Sequence, residues 1–350
     1  MKKRYADQIA DRKKTKKKRP GLVVLLVALA LIGTVVGSGL FLANHLLSKM
    51  NRVDKTKELD TYVPRSQEDF EPDEGAGDDT IDPGDIAWTG IKAMSDPDVK
   101  NILLIGQDRR PGERGRTRSD SMIVCSINKK TGVITLVSLM RDMYVPIPGY
   151  TDNRINAAYV FGGMSLLDEV IKQDFGIVID SNVEVDFNGF ITAMSKIAPL
   201  NIELKAYEAK YLNSWNGSWN LHEGVNAMSA EQLLAYARIR HVGNADYERT
   251  ERQRRVLNAA FSKLKTLGAS EIYDMAYAVM PSLTTDMTNG DIMSYVSYFI
   301  TSRPTMGGNY RLPVNGSFSD QIIRGMMVLV PDLKQNAKMI QTYLYGDTVN

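Results

Sequence analysis

The stretch from Ser119 to Asp142 reads SDSMIVCSINKKTGVITLVSLMRD, and it decides the fold. Two runs within it, Ser121–Asn128 and Val133–Leu139, are rich in apolar and β-branched residues. They flank the polar segment Lys129–Gly132, which ends in a glycine suited to a tight turn. This pattern predicts two antiparallel strands joined as a β-hairpin.

Further elements follow on both sides of the hairpin. Asn101–Gly106 (NILLIG) is a short apolar run that predicts a buried strand. Shorter strands are predicted at Val183–Asp186 and Asn201–Leu204. Helical patterns cover Ser165–Asp174, Phe187–Ile197, Ser229–Ala237, Tyr247–Leu267, Glu271–Met280, Asp291–Ser302 and Asp332–Leu344. Strands mixed with helices indicate an α/β fold, a single α-β-α sandwich-like domain around a central mixed sheet.

The N-terminal region predicts a membrane anchor. Residues 1–20 are strongly basic, and residues 21–47 contain no lysine, arginine or carboxylate. About 20 apolar residues suffice to cross a bilayer, and a cleaved signal peptide has a shorter apolar region. We therefore expect one uncleaved transmembrane helix, in a single-pass protein of the cell membrane. The positive-inside rule puts residues 1–20 in the cytoplasm and the rest of the chain outside.

Residues 48–97 are acidic and contain the run EDFEPDEGAGDDTIDPGD. This composition predicts a flexible, disordered stalk, followed by an extracellular domain at residues 98–350. The single cysteine, Cys125, cannot form an internal disulfide, and its apolar neighbours indicate a buried strand residue. Only three histidines are present, so a zinc site is not expected.

Arginines concentrate in the segment Tyr236–Arg255, YARIRHVGNADYERTERQRR, which contains no lysine. A guanidinium group binds phosphate or carboxylate through two parallel hydrogen bonds, so the cluster predicts an anionic ligand that carries phosphates. The alternative is a solvated helix face paired with Glu248 and Glu251. The six arginines are Arg238, Arg240, Arg249, Arg252, Arg254 and Arg255.

A second group of polar residues is predicted at one end of the hairpin. If Asn128 pairs with Val133, then Asp120 and Arg141 emerge at the same end. Asp108 follows the strand Asn101–Gly106 in a loop that leads back to that end. Two carboxylates beside a phosphorylated ligand suit Mg²⁺, which proteins hold with few carboxylates. The alternative is that both aspartates are turn residues or form local salt bridges.

The chain resembles the extracellular LytR-CpsA-Psr family of Gram-positive bacteria. Seven motifs carry the resemblance, and they occur in order across residues 101–267. They are NILLIGQDRR, RTRSDSM, VSLMRDMYVPIPG, RINAAYVFGG, VDFNGF, YARIRH and DYERTERQRR.

The resemblance implies a membrane-anchored phosphotransferase. Family members move a glycopolymer, such as wall teichoic acid or capsule, from an undecaprenyl-pyrophosphate carrier to a peptidoglycan hydroxyl, with the lipid chain in an apolar cleft. By motif, Mg²⁺ falls at Asp108 and Asp120. The implied pyrophosphate-binding residues are Arg118, Arg141, Arg238, Arg240, Arg249 and Gln253.

The reaction identifies candidate catalytic residues as well. These are Asp120, Arg141 and Asp142, with Asp120 or Asp142 as a general base for the attacking hydroxyl. On the arginine-rich helix, Arg249 and Gln253 are four positions apart and face the same side. Arg252 is expected at the margin of the site, and Arg254 and Arg255 on the surface.

Two other functions are compatible with the same residues. Water is chemically similar to a sugar hydroxyl as a nucleophile, so a pyrophosphatase acting on polyprenyl-pyrophosphate lipids is the first. A non-catalytic regulator of the cell envelope is the second. A transcriptional role and a nucleic-acid partner are not expected, because only about 20 residues of a membrane protein with this topology would face DNA.

Overall fold

The computed structural model describes residues 45–55, 57, 70–107 and 116–346. Its centre is a mixed sheet of strand order β1-β10-β7-β2-β3-β4-β11. These strands are β1 (Asn51–Arg52), β2 (Val99–Gln107), β3 (Ser119–Asn128), β4 (Val133–Leu139), β7 (Ser181–Asp186), β10 (Leu283–Thr285) and β11 (Thr305–Leu312). Smaller antiparallel pairs are β5 (Tyr144–Val145) with β6 (Asn153–Arg154), β8 (Leu200–Leu204) with β9 (Gly224–Met228), and β12 (Phe318–Ile323) with β13 (Met326–Pro331).

Helices cover both faces of the sheet. They are α1 (Ile155–Phe175), α2 (Phe187–Ser195), α3 (Ala206–Trp215), α4 (Ala230–Ala237), α5 (Ala245–Leu264), α6 (Ala269–Val279), α7 (Asn289–Ser302) and α8 (Leu333–Tyr345). Successive side chains of a strand point to opposite faces. Ile123 and Cys125 therefore enter the core under α2 and α4–α6, whereas Met122 and Val124 enter the core under α1 and α8. The predicted α/β sandwich around a central mixed sheet is confirmed.

The hairpin has the predicted register. Asn128 pairs with Val133 and Met122 with Leu139, so the start of β3 and the end of β4 lie at the same edge of the sheet. Strand β2 is antiparallel to β3 and parallel to β7. Strands β2, β4 and β7 thus bring the loops that follow them toward one rim of the sheet.

Several elements differ from the sequence prediction. Helix α1 begins ten residues before the predicted start, and it contains a break at Gly162 and Gly163. Gly163 has a φ of 65°, a value that glycine adopts without the steric cost that other residues incur. Helix α3 and the strands β1, β5, β6, β9 and β10–β13 were not predicted. Most of them are short or contain few apolar residues, but β13 is an apolar run (MMVLVP) that sequence reasoning missed.

Residues 70–97 correct the prediction of a flexible stalk. They lie along the domain and contact it repeatedly. The Trp88 Nε1 donates to the Asp152 carboxylate at 2.6 Å, and the Phe70 ring lies 4.4 Å from the Arg324 guanidinium carbon. Met94 forms a bridge with Ile177. The acidic composition of this segment reflects its exposed side chains rather than an absence of fixed structure.

Residues 45–55 are also part of the domain. Leu46 and Leu47 are buried in the core between the sheet and α6, so the predicted transmembrane helix does not extend to Leu47. Strand β1 pairs in parallel with β10, and the Lys55 ammonium contacts the carboxylates of Asp168 and Asp286. Within the described residues, no helix is long and apolar enough to span a bilayer. The rest of the predicted span, residues 21–44, lies outside them.

Candidate functional site

A deep apolar cavity of about 390 Å³ lies between the sheet and the helices α2–α6. Its walls are mostly aliphatic and aromatic, and its polar side chains gather where β2 and β3 meet α4 and α5. The apolar lining includes Leu104, Ile123, Val183, Phe190, Met194 and Val256. The polar lining includes Ser121, Arg238, Arg240, Arg249 and Gln253. An apolar cavity with a cationic end suits a ligand that has a long hydrocarbon part and an anionic head.

The end of α4 places two of the predicted arginines. Ser229 caps this helix, its side chain accepting from the Gln232 N–H, and the helix ends at Ala237. The Arg238 guanidinium then lies over the Phe187 ring, 4.2 Å from its centroid, at the start of α2. Because the chain leaves the helix at this point, Arg238 and Arg240 can both line the cavity although they are only two positions apart.

The turn between α4 and α5 requires a glycine. Gly243 has a φ of 72°, and a Cβ atom there would lie 2.0 Å from the Glu248 carboxylate. This close approach brings the start of α5 back toward Arg240. The sequence indicated the arginines on each side of the turn but not the turn that joins them.

Asp246 on α5 is the centre of the arginine cluster, and sequence reasoning missed it. Its Oδ1 lies 3.0 Å from Arg249 Nη1 and 3.7 Å from Arg240 Nε, and its Oδ2 lies 3.9 Å from Arg141 Nη2. Three arginines, from the segment that follows β4, from the α4–α5 turn and from α5, therefore meet at one carboxylate. The only signal in the sequence was the spacing of three residues between Asp246 and Arg249.

Gln253 lies one turn beyond Arg249 and faces the same side, as predicted. The Ser121 Oγ donates to the Gln253 Oε1 at 3.1 Å, which ties α5 to β3. Both side chains line the polar end of the cavity. The structure thus brings Arg238, Arg240, Arg249 and Gln253 together.

Arg141 and Asp142 lie at the same rim, in a chain of ion pairs. Asp142 Oδ2 is 3.4 Å from Arg141 Nε, and its Oδ1 is 3.5 Å from Arg154 Nε. Arg154 also contacts Asp73. Burial raises the pKa of Asp142, although the charges of Arg141 and Arg154 oppose that shift.

Arg118 lies in the segment before β3, where its Nε is 3.2 Å from the Glu71 carboxylate. Residues 70–73, which the sequence assigned to a disordered stalk, therefore supply carboxylates to the rim. The predicted pyrophosphate-binding residues all come from the rim or from the lining of the cavity, and their contact with a ligand stays a prediction.

The predicted magnesium ligands fall at the edge of what the structure describes. Asp108 lies outside the described residues, as does the side chain of Asp120. Gly106 pairs with Ser121 and Gln107 with Ser119, and the magnesium site itself stays a prediction. On β3, Asp120 is the residue between these two pairs, and it lies opposite the end of β2. Asp108 follows that end in the sequence. Elsewhere, among the residues described, no three His, Cys, Asp or Glu side chains group as a metal site would.

Two other arginines of α5, Arg252 and Arg254, differ from prediction. Arg252 is not at the margin of the site. It is 1% exposed and pairs with Glu208 at 2.7 Å and with Glu248 at 2.5 Å. Arg254 is not on the surface, because it is buried and donates to the Ser138 Oγ at 2.6 Å. Arg255 is half-buried and pairs with Glu251.

The chain is similar to known proteins in sequence and in fold. The family model described as LytR_cpsA_psr matches residues 66–344, most of the chain. The chain belongs to the LytR-CpsA-Psr family. Regulatory protein MsrR of Staphylococcus aureus (strain COL) is 34% identical over 160 residues, which is 45% of this chain and 46% of the relative. A transferase of Enterococcus faecalis (strain ATCC 700802 / V583), polyisoprenyl-teichoic acid–peptidoglycan teichoic acid transferase TagU, is 31% identical over 198 residues.

The aligned region with TagU covers 55% of this chain and 63% of that protein. The chain thus spans about half the length of the curated relatives it matches. Solved structures of family members share its fold. B. subtilis TagT has a TM-score of 0.57 at 22% identity, covering 72% of this chain and 94% of that one. TagT (YwtF) with bound octaprenyl pyrophosphate lipid has a TM-score of 0.56 at 20% identity, covering 74% and 97%.

Proposed function

We propose that this chain transfers a glycopolymer from a polyprenyl-pyrophosphate lipid to a hydroxyl group of peptidoglycan. The observation that carries the proposal is the apolar cavity of about 390 Å³ whose polar end holds Arg238, Arg240 and Arg249. Apolar walls suit a prenyl chain, since each buried methylene is worth about 0.8 kcal/mol. Guanidinium groups suit the pyrophosphate, since they retain their charge and bind phosphate oxygens in pairs.

The relatives support this class of substrate. TagU is named a teichoic acid transferase, and one TagT structure holds an octaprenyl pyrophosphate lipid. Another TagT structure is bound to LI-WTA. The name of MsrR, a regulatory protein, keeps the non-catalytic alternative open to test.

The proposed reaction is a phosphoryl transfer. The acceptor hydroxyl oxygen attacks the phosphorus bonded to the glycopolymer, and the bond from that phosphorus to the bridging oxygen breaks. The products are a phosphodiester between polymer and peptidoglycan, and a polyprenyl phosphate that retains the bridging oxygen. Such reactions depend on positioning and on stabilisation of charge on the phosphoryl oxygens. Arg141, Arg240 and Arg249 serve that role, with Arg118, Arg238 and Gln253 holding the remainder of the head group.

Asp142 acts by positioning rather than as the base. Its two oxygens face Arg141 and Arg154, so the carboxylate fixes the Arg141 guanidinium at the rim. We propose instead that Asp120, which lies on β3, accepts the proton of the attacking hydroxyl group. Asp108 and Asp120 would also hold Mg²⁺, which supplies positive charge to the pyrophosphate when bound.

The proposal includes the location of the domain. Residues 21–44 would cross the cell membrane, with residues 1–20 in the cytoplasm and the domain outside, next to its lipid substrate and to peptidoglycan. This topology follows from the sequence alone, since the span lies outside the described residues.

An in vitro reaction tests the activity. The full chain in detergent micelles would be incubated with a lipid-pyrophosphate-linked saccharide, a peptidoglycan oligomer and Mg²⁺, and the products would be identified by mass. We expect a phosphodiester-linked product. Arg249→Lys keeps the charge but not the planar fork, and we expect it to lower the rate on the order of 10²-fold. Arg255→Lys, on the same helix but outside the site, is the matched control.

Each alternative gives its own result. Free phosphorylated polymer without a joined product would mean that water is the nucleophile and that the protein is a pyrophosphatase. Bound lipid without any turnover of wild-type protein would favour the non-catalytic regulator. An Arg249→Lys variant as active as Arg255→Lys would contradict the assignment of this site.

A further inference from the structure

Helix α5 has a second polar flank, opposite the one that lines the cavity. Tyr247, Arg254 and Asn258 are seven and four positions apart, so they share one side of the helix. That side faces β11, where Arg311 and Asn309 point toward α5. We call these five residues the α5–β11 groove.

The groove is built from side chains that contact one another. The Arg311 guanidinium carbon lies 4.4 Å from the centroid of the Tyr247 ring. Asn258 Nδ2 donates to Asn309 Oδ1 at 3.1 Å, and Arg254 Nη1 donates to the Ser138 Oγ. Tyr247, Asn258 and Arg311 are half-buried and Asn309 is exposed, so the groove is open to solvent.

In the described part of the chain no carboxylate forms an ion pair with the arginines of the groove, although Asp142 and Asp320 act on Tyr247 from farther away. Among the residues that the structure describes, neither Arg254 nor Arg311 has a carboxylate within 4.0 Å, and the Arg254 Nε has no hydrogen-bond partner. The carboxylate of Glu251 acts on Arg254 from farther away, but it is paired with Arg255 at 2.6 Å. The polar contacts of Arg311 are with neutral atoms, the Met140 sulfur and the Asn315 amide oxygen.

The positive charges of the Arg254 and Arg311 guanidinium groups repel each other. Burial and the charge of Arg311 together lower the pKa of Arg254 to about 10, although the charge of Glu251 opposes that shift. Burial also lowers the pKa of Arg311. An uncompensated buried charge destabilises a fold, and arginine does not escape this cost by losing its proton near neutral pH. An anion between the two arginines would remove the imbalance.

The groove lies beside the candidate active site. Arg311 pairs with Ser138 in the sheet, and its guanidinium contacts Met140, the residue before Arg141. On α5, Tyr247 follows Asp246, the centre of the arginine cluster. A ligand in the groove would thus sit next to the phosphate-transfer residues but on the other flank of α5, away from the apolar cavity.

We propose that the α5–β11 groove is a second anion subsite, which holds a carboxylate or phosphate group carried by a glycan. The inference rests on the proposed function, because a glycan on this flank of α5 would reach the rim from the side opposite the lipid. The amide groups of Asn258 and Asn309 beside the arginines suit sugar hydroxyls. The anion has two possible sources, a carboxylate of the peptidoglycan acceptor or a phosphate of the donor polymer.

Calorimetric binding to the full chain in detergent micelles tests the subsite without requiring turnover. The probes are a soluble disaccharide-peptide of peptidoglycan with free carboxylates, its amidated form, and a glycerol-phosphate oligomer. We expect the acidic glycopeptide or the phosphate oligomer to bind wild type at least tenfold more tightly than Arg311→Gln or Arg254→Gln. Lys338→Gln, an exposed site on α8, is the matched control and should bind as wild type does.

The probes identify the source. Loss of glycopeptide binding in Arg311→Gln, with the amidated form weak in both proteins, assigns the groove to the acceptor. Loss of oligomer binding assigns it to the donor polymer. Affinities within twofold of wild type for both charged probes would overturn the subsite.

Thermal unfolding separates a lost site from a lost fold. Because each variant removes an unbalanced charge, we expect Arg254→Gln and Arg311→Gln to have a Tm equal to or above that of wild type. Arg311→Lys keeps the charge and should regain part of the affinity. If wild type binds the probes through Arg311 but transfers no polymer, only the proposed function is refuted. If Arg311→Gln transfers polymer normally, with unchanged KM for both substrates, only the subsite is refuted.

Discussion

Arg252 and Arg254 are buried arginines only two positions apart on α5, but their hydrogen-bond partners differ in charge. Arg252 donates to two carboxylates, Glu208 and Glu248, and to the backbone carbonyl of Ile239. Arg254 donates to one hydroxyl, Ser138. A buried charge that is fully paired fixes structure, whereas one that lacks a counter-charge indicates a site that a ligand completes.

The pairing of Arg252 explains how α5 is held in place. Glu208 belongs to α3, and Glu248 also accepts from Lys205 and Tyr207 just before and within that helix. The ion pairs thus join α3, α5 and the α4–α5 turn. They keep Arg240 and Arg249 near Asp246 without taking part in the site themselves.

The largest effect is expected from breaking the ion pairs of Arg252 with Glu208 and Glu248. Arg252→Ala leaves the Glu208 carboxylate buried without its guanidinium partner, which we expect to lower the free energy of unfolding by about 3–5 kcal/mol. This corresponds to a fall in Tm on the order of 10 °C. Urea denaturation and a thermal melt would measure it. A variant as stable as wild type would mean that the cluster does not hold α5.

A milder change in the same group of ion pairs, Glu208→Gln, tests the contribution of one carboxylate. Glu208→Gln removes one negative charge but keeps an oxygen that can accept from the Lys205 N–H, which Glu208 caps at 2.9 Å. We expect a loss of about 1–3 kcal/mol, smaller than that of Arg252→Ala, since Glu248 still pairs with Arg252. If both variants lost the same stability, Glu208 rather than the pair would account for the effect.

Asp174 tests what happens to an unbalanced buried carboxylate. Burial raises its pKa to about 8, and its Oδ2 has no hydrogen-bond partner. The folded protein therefore takes up a proton as the pH falls from 8 toward the usual carboxyl range, and wild type loses stability as the pH rises through that window. Asp174→Asn does not titrate, so its stability relative to wild type should increase by about 1.4 kcal/mol for each pH unit between pH 5 and pH 7.

Melting curves of both proteins across this pH range would measure the difference. Other titrating groups, including Asp168, are common to both and cancel in the comparison. A difference that does not change with pH would show that Asp174 is charged in the folded state.

The smallest effect is expected at Arg255, which is more exposed than Arg252 and Arg254 on the same helix. It pairs with Glu251 at 2.6 Å across one turn, and the side chains of both residues are more than a third exposed. Arg255→Ala should change the free energy of unfolding by less than about 0.5 kcal/mol, because solvent screens such pairs. Denaturant titration beside Arg252→Ala would make the contrast direct, and a loss above 2 kcal/mol would contradict it.

Much of the fold could be predicted from the sequence where the signal is local. The hairpin register follows from the turn at Lys129–Gly132, and helices α2 and α4 follow from their apolar spacing. Strand β11 could not be predicted, because it pairs in parallel with β4 across more than 160 residues of chain and its glycines give no strand pattern. Segment 70–97 was assigned to a stalk because its sequence is acidic and its contacts, such as the backbone hydrogen bond from Met94 to Gly176, are with residues distant in the chain.

Within the site, the motifs identified residue types but not their partners. Arg238, Arg240, Arg249 and Gln253 do meet at the cavity. The sequence did not separate Arg252 from its neighbours, because its two carboxylates are on α3 and on its own helix, and only the fold brings Glu208 to it. Asp246 was missed for the same reason, since its importance comes from Arg141, which lies more than 100 positions earlier.

The first described residues have a practical consequence for any shortened form of this protein. Family similarity begins at residue 66, yet Leu46, Leu47 and Met50 fill the core beside Leu283, and β1 covers the edge of β10. A chain cut at residue 66 would uncover those side chains and leave β10 with open hydrogen-bonding groups, a surface that promotes aggregation. The unit that folds is therefore longer at its N-terminus than the unit that similarity recognises.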